Sequence, residues 1–291
     1  MKSTVRIASL QMALHSFEDA DGLLERLAHF ARAASDYGAD FLCLPEHLTL
    51  QTLSRTTGAL TAHDAVDQLT ELTDSYKDTL SFLASQHHIN IVGGSHLTRD
   101  DDDCVRNICF VAHRDGSLDQ QSKIHPTPDE RSVWHVQGGE TCDVINTDCG
   151  PVGVTICYDS EFPELGRHLV DQGANIIFVP YLTDTAHGHW RVTHSCMARA
   201  IENQSYVVTS GLTGSIRNVT NLDIAYAASR IITPCDIPFT PDGIAAQAVP
   251  GIEQMIVADL DMDRLAYARE AGAVQNLKDR RSDLYEVRWK R

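Results

Sequence analysis

The chain has 291 residues, 43% hydrophobic and 22% charged, with a net charge of −16. That length suits one large domain or two small ones and can bury a substantial core. The acidic balance argues against a general nucleic-acid binder, which presents basic patches to phosphate, and it mildly repels anionic membranes.

Thr4 to Met12 reads as a strand. Ser16 and Asp19 form a capping box for a helix carrying Leu23, Leu27, Phe30, Ala31 and Ala34, with Gly38 as its stop. Phe41 to Leu44 is a short buried strand ended by Pro45, so Glu46 sits where a strand finishes. A second helix carries Leu69, Leu72, Tyr76, Leu80 and Leu83. The strand Ile89 to Val92 stops at Gly93 and Gly94. The acidic run Asp100 to Asp103 lacks metal-loop spacing and reads as a solvated turn. Strands Asn107 to His113 and Ser117 to Ser122 flank a turn, and Lys123 follows directly.

Strands Asp143 to Thr147 and Val152 to Ile156 come next, and Cys157 ends the second. Ser160 is a candidate N-cap, Pro163 suits a first helical turn and Gly173 closes that helix. Strand Asn175 to Val179, a helix from about His189 to Asn203 and strand Ser205 to Thr209 follow. The last third adds strands near Ala227 to Thr233 and Gln254 to Asp259, an ordered loop Thr233 to Pro241, a short helix near Met262 and a polar tail. Strands and helices alternate, with hairpins between them and no linker or repeat. This predicts an α/β layered fold in a single domain over 1–291. The eight cysteines contain no C-x-x-C pair and imply no disulfide framework. The N-terminus does not read as a signal peptide, and no run approaches a membrane span, so a reducing cytoplasm is the expected compartment.

Cys157 stands between an apolar strand and a helix start, where a helix dipole favours thiolate and backbone N–H groups point at an oxyanion. The plain alternative is a packed structural cysteine. Glu46 lies where α/β proteins place their sites, although an exposed loop acid would look the same. Lys123 is either a solvated charge or a fixed ammonium that stabilises thiolate and oxyanion. His187, His189 and His194 raise a second reading, a zinc hydrolase, though one helical face cannot hold all three. G-x-G-x-x-G, P-loop and G-x-S-x-G motifs are absent, so nucleotide cofactors and serine hydrolase chemistry have no support.

Four segments, in order, resemble the motifs of the nitrilase superfamily of carbon–nitrogen hydrolases: Leu44-Pro45-Glu46, Lys123-Ile124-His125-Pro126-Thr127-Pro128-Asp129-Glu130, Gly153-Val154-Thr155-Ile156-Cys157-Tyr158-Asp159 with Phe162-Pro163-Glu164, and Arg199-Ala200-Ile201-Glu202-Asn203. The resemblance runs from about Val5 to Arg288. Val92-Gly93-Gly94-Ser95-His96, Asp159 to Glu164 and Asp279 to Tyr285 look closest to a bacterial group often fused to a GNAT-type acetyltransferase domain, which is not read in this chain.

The resemblance implies a four-layer α-β-β-α sandwich and a Glu46–Lys123–Cys157 triad. It also implies an oxyanion site at Lys123 and the Tyr158 backbone N–H, and Glu130 as a second, positioning glutamate. It requires no metal or organic cofactor. The substrate would be a small amide cleaved with water through a thioester, and the partner a second copy of the chain in a homodimer or larger assembly. Cys157-Tyr158-Asp159 looks like the amidase branches, whereas true nitrilases commonly carry Cys-Trp-Glu. Nitriles, N-carbamoyl amines and acyl transfer from the same thioester are the alternatives. Branches that cleave ω-amides of dicarboxylic acids often carry arginine where Glu161 stands. The reversed charge suggests a neutral or cationic substrate, unless Glu161 merely favours the start of the next helix.

Overall fold

The computed structural model describes residues 2–17, 19–55, 60–217, 219 and 222–290. The first half of the chain forms β1 (Thr4–Ala13), α1 (Ala20–Asp36), β2 (Phe41–Cys43), a 3-10 helix (Leu48–Arg55), α2 (Ala62–Thr70) and α3 (Thr73–His87). It continues with β3 (Asn90–Val92), β4 (His96–Arg99), β5 (Val105–Ala112), β6 (Leu118–Ser122) and α4 (Pro128–Ser132). The second half forms β7 (Ile145–Thr147), β8 (Gly150–Val154), a 3-10 turn (Cys157–Glu161), α5 (Pro163–Asp171), β9 (Ile176–Tyr181) and α6 (Ala186–Glu202). It ends with β10 (Tyr206–Thr213), β11 (Arg230–Ile232), β12 (Ile244–Gln247), β13 (Gln254–Asp261) and α7 (Met262–Ala271).

The strands form one sheet curled into two facing halves. The first half orders β13, β1, β2, β3 and β5, with β4 and β6 also on β5. The second orders β7, β8, β9, β10, β11 and β12. They join at the end of β1, where Met12 and Ala13 pair with Leu212 and Thr213.

Successive side chains on a strand point to opposite faces, and this builds the layers. Val5, Ile7, Phe41, Cys43 and Val111 pack with Val154, Phe178 and Val207 between the halves. The Phe41 and Phe178 rings meet there at 5.1 Å. Ala8, Leu10, Leu42, Leu44 and Phe110 pack on the other face with Leu23, Leu27, Ala31, Tyr76 and Leu80 of the helices. Helix α5 covers the far side of the second half, so close to β8 that a Cβ on Gly153 would meet Leu169 at 2.8 Å. The result is the expected helix–sheet–sheet–helix order.

Several local expectations change. Helix α1 is capped by Asp19, whose side chain accepts from Gly22 N–H, and Ser16 lies outside it. The helical period through Leu69 and Leu83 spans two helices, because the chain breaks between Thr70 and Thr73 while keeping its apolar face inward. Ser160 does not cap α5; its hydroxyl donates to the Cys157 carbonyl at 2.7 Å inside the 3-10 turn. Strand β4 and helix α4 carry no strong periodicity and are additions to the sequence reading.

Candidate active site

Glu46, Lys123, Glu130 and Cys157 come from four separate segments and meet at the floor of one cavity of about 600 Å³. Glu46 follows β2. Its loop approaches the turn after β3 so closely that a Cβ on Gly94, at φ +68°, would overlap the Pro45 carbonyl. Glycine there lets the loop seat Glu46 inward. Lys123 follows β6, and its N–H donates to the Asn107 carbonyl at 2.8 Å. Glu130 belongs to α4, where a capping box ties it to Thr127.

The Lys123 ammonium is 1% exposed and donates to Glu46 Oε1 at 2.8 Å and Glu130 Oε2 at 2.6 Å. Glu46 also accepts from Asn107 Nδ2 at 3.1 Å and from the Leu182 N–H at 2.8 Å. Glu130 also accepts from Asn107 Nδ2 at 2.9 Å and the Thr127 N–H at 2.7 Å, and His47 Nε2 lies 3.1 Å away. Burial acts to lower the lysine pKa, but the two carboxylates override it and hold the group well above its usual range. Burial likewise acts to raise Glu130, and Lys123 and His47 hold it below the ordinary carboxylate range.

Cys157 opens the 3-10 turn at φ +49°, in the left-handed region that non-glycine residues seldom adopt. Its Sγ lies 3.5 Å from the Leu182 carbonyl. Burial raises its pKa well above the usual value, Glu46 raises it further, and Lys123 opposes both. The expected help from a helix terminus does not dominate: α5 begins at Pro163, and desolvation outweighs the short turn. Burial and the neighbouring Glu46 carboxylate thus both favour the thiol form over the thiolate, with the Lys123 ammonium pulling the other way.

The turn is held from two sides. Arg199 Nε donates to the Ser160 carbonyl at 3.0 Å. The buried Asp159 carboxylate accepts from the N–H groups of Ile156 (3.2 Å), Ile124 (3.2 Å) and His125 (2.8 Å), so it ties the cysteine turn to the lysine loop. Tyr158 lines the cavity beside Cys157. Glu161 lines the wall, 19% exposed, with Arg191 Nε at 3.3 Å. The N-cap of α5 is Phe162, without a side-chain hydrogen bond, and Glu161 stands just before it.

His47, Asn107, Leu182 and Asp159 were not singled out from sequence as site residues. Asn107 carries a weak signal as the first residue of an expected strand, and Asp159 lies within the cysteine motif without a role assigned to it; His47 and Leu182 carry none. The three histidines weighed as zinc ligands diverge: His189 is buried near Tyr181, Thr193 and Arg230, whereas His187 and His194 are exposed. Glu46, His47 and Glu130 do place three donor atoms within 4.8 Å of one another. The Lys123 ammonium already bonds both carboxylates there, so the chain itself supplies the positive charge.

The sequence model of the carbon–nitrogen hydrolase family matches residues 6–270. A probable hydrolase of Bacillus subtilis is 38% identical over 287 residues, which is 99% of this chain and 56% of the relative. The chain thus spans little more than half of that protein. An omega-amidase of Mus musculus is 27% identical over 299 residues, covering 99% of both chains. Among solved structures, a nitrilase-superfamily protein of Saccharomyces cerevisiae superposes with a TM-score of 0.76 at 26% identity, covering 96% of this chain and 98% of its own.

Proposed function

The chain belongs to the carbon–nitrogen hydrolase family of the nitrilase superfamily and is an enzyme of that kind; from that premise we propose that it hydrolyses a small amide through a thioester on Cys157. The observation that carries this reading is the Cys157 thiol held at one cavity floor with Glu46 and a doubly paired Lys123.

Glu46 takes the thiol proton, and the thiolate attacks the amide carbonyl. Lys123 and the Tyr158 N–H stabilise the tetrahedral oxyanion, a kind of contact whose loss typically costs about 3 kcal/mol of barrier. Protonated Glu46 gives its proton to the leaving amine. Water, deprotonated by Glu46, then hydrolyses the thioester and releases the acid. Glu130 fixes Lys123 throughout. Glu161 contributes to substrate choice by disfavouring a carboxylate at its wall. We place the activity in one domain, in a homodimer or larger assembly, and in a reducing cytoplasm suited to eight free thiols.

The test is a screen over amides, nitriles and N-carbamoyl amines, with Cys157→Ala alongside and intact mass to trap the acyl adduct. Amide turnover with a thioester mass shift on Cys157 is expected, and Cys157→Ala should fall by at least about a thousandfold. Activity surviving that substitution, or a clear preference for nitriles, would overturn the reading. Products formed with and without an added amine separate hydrolysis from acyl transfer.

A further inference from the structure

His47 follows Glu46 directly, and the mechanism above gives it no role. Its backbone sits at φ +54°, in the region non-glycine side chains seldom adopt. The imidazole is buried, with Nε2 3.1 Å from Glu130 Oε1 and Nδ1 without a hydrogen-bond partner among the described residues. A position that needed only a packed ring would favour an apolar one, because an orphaned buried polar atom costs stability. With no acceptor at Nδ1, the proton belongs on Nε2, and that nitrogen donates to Glu130. Asn107 Nδ2 also lies 3.1 Å from Nε2, but its two hydrogens serve Glu46 and Glu130.

The donor sets are informative. Glu46 accepts from the Lys123 ammonium, the Asn107 amide and one backbone N–H, that of Leu182. Glu130 accepts from the same ammonium, the same amide and one backbone N–H, that of Thr127. These three donors are matched on the two carboxylates, and the fourth partner differs: the Cys157 thiol on Glu46, and His47 Nε2 on Glu130.

We propose that His47 is a positioning residue whose Nε2–H keeps Glu130 a carboxylate, so that the proton leaving Cys157 Sγ goes to Glu46. One S–H bond breaks and one O–H bond forms, and Glu130 stays charged against Lys123. The groups facing the imidazole are Glu130 from α4, Glu46 at 3.9 Å, Asn107 from β5 and the Trp134 ring at 5.5 Å. Lys123 lies beyond the carboxylates, and His96 of β4 is within electrostatic reach. The proposal rests on the reading of Cys157 and Glu46 given above.

The test uses iodoacetamide as the probe and follows Cys157 alkylation against pH by peptide mass. Gln places an amide nitrogen where His has Nε2; Asn places one where it has Nδ1 and tolerates left-handed backbone. His47→Gln should keep the acid-side midpoint within about 0.3 pH units, since it restores the donor. His47→Asn should move it up by about one pH unit, since losing a donor to a buried carboxylate raises proton affinity by that order. His47→Phe, which fills the space without a donor, is the second donor-free variant if His47→Asn does not fold. Equal midpoints for the Gln and donor-free variants would overturn the proposal. A wild-type Cys157 that resists alkylation at every pH would instead overturn the nucleophile reading, and the proposal with it.

Discussion

At the floor of the cavity, Glu46, Lys123 and Glu130 are buried, and each charge has partners at 2.6–3.1 Å. At its rim, Asp129 and Asp184 are exposed, and Glu161 faces an Arg191 that is 63% exposed, at 3.3 Å. Both regions carry carboxylates beside one cation, yet the surroundings give them different consequences. In a low-dielectric floor a missing partner is costly, so geometry is locked. At a solvated rim the same pair contributes little to stability and is free to vary with substrate. If the proposed function holds, chemistry belongs to the floor and substrate choice to the rim of one cavity.

The largest effect should come from the floor. Lys123→Met leaves two buried carboxylates facing each other; it should destabilise the fold by about 3–5 kcal/mol and lower kcat/KM by at least about a hundredfold. Thermal unfolding and steady-state kinetics check both, and a change no larger than at the rim would break the contrast. Asp159→Ala comes next. It removes the carboxylate tying the cysteine turn to the lysine loop and should cost about 2–3 kcal/mol, with a kcat loss of about 10- to 100-fold as the reacting groups drift apart.

Acid should distinguish buried from solvated groups as well. His96 hydrogen-bonds Thr49 and Thr73, and burial lowers its pKa to about 3. The unfolded chain protonates it near 6.5, so stability falls as pH drops from about 6.5 towards 3. Glu130 adds to this lower down: its stabilisation is complete above the ordinary carboxylate range and is lost as pH falls through its depressed value. Tm measured from pH 7 to 4 should decline in the wild type and decline less in His96→Gln. The smallest effect belongs to the rim. Arg191→Ala should leave stability within about 0.5 kcal/mol and shift the preference between cationic and anionic amides by about 3- to 10-fold towards cations, as Glu161 loses its counter-ion. Competition assays on paired substrates read it.

The parts of the site legible in sequence are those whose signal is local. Glu46 after an apolar strand and a proline, Lys123 at a strand end and Cys157 between strand and helix each carry their context within about ten residues, and their order matched a family. The rest of the network has no such context. Leu182 acts through a backbone N–H that looks ordinary in sequence, Asp159 sits in the cysteine motif but meets the lysine loop 35 residues away, and His47 gains meaning from a contact 83 residues away. The break between α2 and α3 escaped for a similar reason: apolar spacing continues across it.

Alone, the sequence determined the alternating α/β plan, the four motifs and the family, because periodicity and motif spacing are properties of neighbouring residues. Tertiary structure decided the rest: that Cys157 is buried beside Glu46, that one ammonium is shared by two carboxylates, and that His47 Nε2 lies 3.1 Å from Glu130 but 3.9 Å from Glu46. Those depend on burial and on distances between segments far apart in the chain, and such quantities exist only once the two sheet halves close on each other.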